Sequence, residues 1–197
     1  LSMGNVSDSD VASYKVQVSN LAGTVTSDPA SLTVINPPVV VSLQPASQTN
    51  NATTTASFAV SASGTPPFGY QWTKITPTAT NLLSDGGKIS GSTSDVLTIT
   101  NVLAADQAEY LVTVSNPAGS ATTNGTLVVI DPAIFVQPVS VTNALGGNVS
   151  FSVTAAGTAT LRYQWQQNGV SLPGQTGSNL VLNAIADSAA GSYSVIV

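Results

Sequence analysis

Groups able to transfer protons or attack electrophiles are scarce in this chain: 4 Lys+Arg, 9 Asp+Glu, no His and no Cys among 197 residues. The absence of histidine removes the commonest general base near neutral pH, and with it Ser-His-Asp triads and imidazole metal sites. The absence of cysteine removes thiolate nucleophiles, thiolate metal sites and disulfides together, and is silent about redox compartment. A Ser-Lys dyad would have to use Lys15, Lys74 or Lys88, none of which has a serine motif around it. Asp106 and Glu109 offer a carboxylate pair for glycosidase-like chemistry, yet both fall in a turn where Asp usually caps backbone amides. Asp131 stands alone between two strand-rich segments, with Asn36 at the equivalent place and Asp8, Asp10 and Asp28 scattered. Calcium takes six or more oxygens, so a specific site needs more carboxylates than these. No catalytic, cofactor-binding or metal-ligating residue is assigned, and the chain reads as a non-enzyme.

Charged residues make up 7% of the chain, against about 25% in a typical soluble protein. A net charge of -5 with so few basic side chains excludes nucleic acid as a partner, because such binding rests on Lys and Arg at phosphates. The mean hydropathy is +0.26, but no apolar run approaches the roughly 20 residues that span a bilayer, so no membrane insertion is expected of this segment. No basic and apolar leader opens the chain, which places any secretion signal outside it. The sequons at Asn5, Asn51, Asn124 and Asn148 are no more than a chain rich in Asn, Ser and Thr carries by chance.

Stronger information lies in the apolar residues. Phe58-x-Val60, Trp72 and Tyr110-x-Val112 recur as Phe151-x-Val153, Trp165 and Tyr193-x-Val195, and Trp follows Phe by 14 positions in both copies. Strict alternation around these residues, as in Phe58, Val60 and Ala62 against Ser57, Ala59 and Ser61, predicts half-buried strands. A Trp on strand C, a Tyr two residues before the second half of an intersheet pair, and paired residues on strands B and F form the core frame of an immunoglobulin sandwich. Valines occupy both places that cysteines hold in antibody-type domains. A native disulfide contributes about 2 to 5 kcal/mol, and two buried valines recover about 1.5 to 3 kcal/mol each, so packing roughly replaces the bridge. The fold class is therefore all-β: tandem immunoglobulin-like β-sandwiches without disulfides.

The frame divides the chain into one complete copy and two incomplete ones. Leu1, Met3, Val6 and Tyr14 repeat the spacing of Leu97, Ile99, Val102 and Tyr110, so residues 1–35 read as strands E to G of one sandwich. Residues 36–130 read as a complete sandwich, and residues 131–197 as a sandwich lacking its last strand, with Leu180 and Tyr193 repeating the same step. This pattern reads as a window of a longer array. Asn20-Leu21-Ala22-Gly23 and Asn116-Pro117-Ala118-Gly119 predict hairpins between strands F and G. Asn36-Pro37-Pro38 and Asp131-Pro132 predict short, stiff linkers. Lys15 on strand F should point outward, so no isopeptide bond is expected. The central copy carries ten more residues between Trp72 and Leu97 than lie between Trp165 and Leu180. Asp85, Lys88 and Asp95 fall in that insertion and form a candidate recognition loop, although an added edge strand is the simpler outcome. The core assigned from the frame is Phe58, Val60, Trp72, Leu97, Tyr110 and Val112, and Phe151, Val153, Trp165, Leu180, Tyr193 and Val195.

The segments QPASQT (44–49), SFAVSASGTPPFGYQW (57–72), LTITNVLAADQAEYLVTVSNPAGSATTNGTLVV (97–129), QPVSVT (137–142) and SFSVTAAGTATLRYQW (150–165) resemble cysteine-free bacterial immunoglobulin-like repeats of the I-set type. Such repeats occur in tandem in large secreted or surface proteins. The resemblance implies an extracellular or cell-surface location and a structural or adhesive role in a stalk, filament or adhesin. It implies protein partners, by self-association or between neighbouring repeats of the same chain, and no cofactor. It carries over no catalytic residue. The Asp four residues before the strand F Tyr is present as Asp10 and Asp106 but is Ala189 in the last copy, so a looser corner is expected there. A second reading is a carbohydrate-binding or spacer module of a large secreted enzyme. Glycan binding usually needs exposed aromatic platforms, and Phe68 and Phe135 are the aromatics without an obvious core place.

Overall fold

The computed structural model describes residues 1–197. Alternating sequence becomes alternating burial: along Ala108–Asn116, Ala108, Tyr110, Val112 and Val114 are buried while the residues between them are not. That strand pairs on one side with Gly69–Thr76 and on the other with Gly119–Ile130, both antiparallel. Ala79–Leu82 and Gln48–Asn51 complete a five-stranded sheet, the last of these joined in parallel to Leu127–Ile130. A second layer holds Val96–Ile99 between Ala56–Ala59 and Ile89–Ser90, with Val40–Leu43 paired to Ser61–Ser63 nearby. The inner faces of these layers enclose a cluster of 16 buried apolar residues.

Trp72 is the centre of that cluster and is fully buried. Its ring lies 6.2 Å from Phe58, which stacks on Tyr110 at 5.2 Å. An indole N–H in such a place must find an acceptor, and Trp72 Nε1 donates to the carbonyl of Ser94 at 2.9 Å. Val60 and Val112 are at most 2% exposed. Gly125 faces Tyr110 across the sheet because Phe58 fills the space: a Cβ there would meet Phe58 at 3.0 Å and the Pro45 carbonyl at 2.8 Å.

A second cluster repeats this plan around Trp165, with Val153 and Leu180. Phe151 lies 6.3 Å from Trp165 and stacks on Tyr193 at 4.8 Å, and Trp165 Nε1 donates to the Gly177 carbonyl at 2.9 Å. Gln164–Gln167 lies between Val170–Ser171 and Tyr193–Ile196, opposed by Val149–Ser152 with Asn179–Leu182 and by Ala133–Val136 with Thr154–Ala156. Phe151, Tyr193 and Val195 are only half-buried here. A cleft of about 410 Å³ between residues 138–145 and Phe151, Leu182 and Tyr193 opens one flank of Phe151 and Tyr193. In the central sandwich the corresponding flank of Tyr110 is covered by Gly119–Ile130.

The N-terminal segment departs from expectation. Ala12–Tyr14 pairs with Ala30–Leu32, and Gln17–Asn20 with Gly23–Thr26, so the F to G hairpin forms. Residues 1–6, read above as a strand, are not one. In the central sandwich the corresponding Val96–Ile99 is held by Ala56–Ala59, and no strand of this chain lies beside Leu1–Val6 to play that part.

The glutamines preceding both tryptophans have a role that alternation does not reveal. Gln71 Nε2 donates to the carbonyls of Trp72 and Leu83, and Gln164 Nε2 to those of Trp165 and Leu172, which ties the edge hairpin back onto the tryptophan strand. Trp72→Ala is expected to lower unfolding free energy by about 3 to 5 kcal/mol through lost burial and the resulting cavity. Gln71→Ala, which only severs the two carbonyl bonds, should cost about 1 kcal/mol. Urea unfolding of the two variants against the parent chain reads both values.

Candidate functional site

The insertion between Trp72 and Leu97 is built as an edge hairpin and a short ladder. Gly69–Thr76 runs straight into Ala79–Leu82, and the chain returns through Ile89–Ser90 to pair with Val96–Ile99. Of the three residues expected to form a recognition surface, Asp85 and Lys88 use their side chains in internal bonds, and Asp95 is bonded through its main chain. The Asp85 carboxylate accepts the Ser92 amide at 2.7 Å. Hydrogen bonding from the Ser92 side chain and amide holds the Asp85 carboxyl below the usual carboxylate range. Lys88 Nζ pairs with Asp106. The Asp95 carbonyl accepts the Val60 amide at 2.9 Å, continuing the ladder.

Asp106 is 6% exposed and has two tasks. It neutralises Lys88 and accepts the Leu103 amide at 2.8 Å, closing the Ala104–Asp106 turn of 3-10 helix. Glu109, its partner in the carboxylate pair weighed above, instead accepts a hydrogen bond from Asn124 across the sheet. The acids are thus committed to separate structural bonds. Lys74 Nζ likewise donates to the Ala105 carbonyl at 2.6 Å.

The tyrosine corners run through backbone. Tyr14, Tyr110 and Tyr193 donate their hydroxyls to the carbonyls of Asp10, Asp106 and Ala189 at 2.7, 2.8 and 2.7 Å. Burial, with the Asp106 charge nearby, pushes the Tyr110 phenol up from its ordinary value. The bond to Ala189 keeps the tyrosine corner in the third copy, because the acceptor is a main-chain oxygen, which any residue supplies. What Ala189 does forgo is the carboxylate cap that Asp10 and Asp106 place on Ser7 and Leu103.

Two junctions carry further polar contacts. Asp131 accepts the Thr158 amide at 2.8 Å, the Thr158 hydroxyl at 2.5 Å and the Ala104 amide at 2.8 Å. Its oxygens therefore serve main-chain and hydroxyl donors. At the other junction, Asn36 donates to Asp8 at 2.6 Å, and the Pro37 carbonyl accepts from Thr65 at 3.2 Å and from Asn116 Nδ2 at 2.9 Å. No group of three or more acidic side chains converges at one point. Of the two unassigned aromatics, Phe68 packs against the central core, while Phe135 is 46% exposed. No helix is long and apolar enough to cross a membrane.

Two sheets packed on a buried tryptophan, closed by a tyrosine corner and a parallel terminal strand, make an immunoglobulin-like sandwich. Residues 39–129 match the immunoglobulin I-set domain. Animal proteins are among the sequence relatives of the chain. Roundabout homolog 1 of Rattus norvegicus is 30% identical over 86% of this chain, and the cell adhesion molecule DSCAM of Homo sapiens is 28% identical over 69% of it. The chain spans 11% and 7% of the length of these relatives. A fragment from the I-band of titin superposes with a TM-score of 0.51 at 20% identity, covering 96% of this chain and 70% of that one, a likeness of fold. The expected immunoglobulin-like, all-β architecture is what the I-set match and this superposition show.

Lys88→Ala leaves a nearly buried carboxylate without its cation and should cost about 1 to 2 kcal/mol, reduced from the fully buried case because the lysine is partly solvated. Asp106→Ala also removes the Leu103 cap and should cost about 2 to 3 kcal/mol. Thermal unfolding orders the pair. The Asp85 carboxyl, lowered on folding, contributes stability above the ordinary aspartate pKa of about 3.9 and loses it as pH falls through the lower folded value. Melting temperatures of the parent and Asp85→Asn should differ near neutral pH and converge in acid.

Proposed function

We propose that this chain is a segment of an extracellular array of immunoglobulin-like sandwiches with a structural or adhesive role, as in a stalk, filament or adhesin. The observation that carries this reading is the two Trp-centred cores in series, joined by two residues, Asp131 and Pro132, between the end of one strand and the start of the next. A connection of that length spaces the cores closely and leaves little slack. In this reading residues 1–35, 36–130 and 131–197 belong to three successive units, and valines 60 and 112 mark the cysteine-free bacterial type. The partners are proteins: neighbouring repeats of the same chain or other copies of it. Support comes from relatives named as cell adhesion molecules and as a basement membrane proteoglycan core protein. The polar surface, poor in charge, suits an array whose units lie side by side without strong repulsion.

Electron microscopy of the native polypeptide should show continuous beaded strands with a spacing of one sandwich. Discrete particles would overturn the array. Binding on a glycan array that is lost in Phe135→Ala would transfer the chain to the carbohydrate-module reading, since Phe135 is the exposed aromatic.

A further inference from the structure

The two junctions answer one geometric problem with different residues. Each linker must be held on one side to the E to F turn of the sandwich before it and on the other to the B to C loop of the sandwich after it. At the first, the work is divided: Asn36 reaches Asp8 in the Asp8–Asp10 turn, while the Pro37 carbonyl takes the Thr65 amide. At the second, a single side chain spans both sides. Asp131 binds Ala104 in the Ala104–Asp106 turn through one oxygen, which it shares with the Thr158 hydroxyl, and takes the Thr158 amide on the other. Asp8 and Ala104 both stand six residues before the corner tyrosine, and Gly64-Thr65 and Gly157-Thr158 both stand six residues after the Phe of the frame.

We propose that the Asp131 carboxylate is a clasp that sets the orientation of the third sandwich on the second, and that Gly157 is the residue that admits it. The proposal rests on the tandem reading above and adds to it a specific positioning residue. The chemistry of the group and two independent observations support it. A carboxylate has two acceptor oxygens with lone pairs on both faces, so it serves donors on opposite sides, whereas an amide in its place would offer one acceptor. A Cβ on Gly157 would lie 2.3 Å from Asp131 Oδ1 and 3.0 Å from Pro132 Cα, so only glycine leaves room for the carboxylate and the linker. Ala133, the first strand residue after the linker, is 2% exposed and belongs to the Trp72 cluster, which seats the start of the third sandwich in the core of the second. The hydrogen bonds from Thr158 and Ala104 also hold the Asp131 carboxyl below the usual carboxylate range, as expected of an ionised acceptor with three donors.

The clasp predicts an asymmetry between the junctions. Removing Asp131 severs both sides of the second at once; removing Asn36 leaves the Pro37 half of the first in place. Residual dipolar couplings of the full chain test this. In the parent, one alignment tensor should fit the amides of residues 39–130 and of residues 133–197. In Asp131→Ala the shared tensor should be lost, while tryptophan fluorescence stays that of two folded cores. Gly157→Ala should do the same by displacing the carboxylate, whereas at the first junction Asn36→Ala should keep the amides of residues 8–35 on the tensor that fits residues 39–130. Retention of one tensor in Asp131→Ala or Gly157→Ala, or two tensors in the parent, overturns the clasp. Should Asp131→Ala lose the Trp165 core, Asp131→Asn, which keeps the side chain's size but offers one acceptor oxygen, supplies the same readout: a shifted relative tensor supports the clasp and an unchanged one overturns it. These couplings report on one chain, so they fail independently of the microscopy that tests the array.

Discussion

Each core depends on burying an indole between two sheets while giving its N–H somewhere to go. At Trp72 the acceptor is a carbonyl in the returning edge segment, Ser94, and at Trp165 it is Gly177. That single bond forces the chain after strand C to come back over the tryptophan, whatever the length of the segment that does so. It explains how one sandwich accommodates a longer hairpin and a further ladder strand while the other closes with a two-residue edge strand, Val170–Ser171. The Phe that stacks on the corner tyrosine then fixes the opposite sheet, and the valines fill the gap where sulfur would bridge.

The scarcity of charge gives the few ionised groups a different meaning from that in most proteins. Solvated surface charges contribute little to stability. Here Asp85, Lys88, Asp106 and Asp131 are each bonded to backbone or to one another, at turns and junctions where amides would otherwise go unpaired. In a chain whose surface is mostly hydroxyl and amide, charge acts as an internal fastener. Within the insertion Asp85 is bonded to its own turn and Lys88 to the E to F corner.

The core was readable in the sequence because burial imposes spacing. Phe58, Trp72 and Tyr110 recur as Phe151, Trp165 and Tyr193, and the alternation around them permits only one face inward. The glutamine before each tryptophan was visible as a repeated dipeptide, but its bonds reach carbonyls 12 and 8 residues away, and no local pattern reports such a distance. The strand assigned to residues 1–6 failed for the complementary reason: its apolar spacing is right, yet a strand exists only beside a partner. At the third corner the Asp that repeats in the other two copies is absent, yet the tyrosine bond persists because its acceptor is main chain.

The sequence by itself determined that this is a series of all-β units with tryptophan hearts and no cysteine, because hydrophobic periodicity and side-chain volume are properties of the residues alone. Only the tertiary structure decided where the charges work and how successive units meet. Asp131 and Thr158 are 27 residues apart, as are Asp131 and Ala104, and their approach exists only once both sandwiches have closed. Hydrogen bonding is short-ranged and directional, so the partners of a lone carboxylate are set by geometry that composition and spacing do not encode.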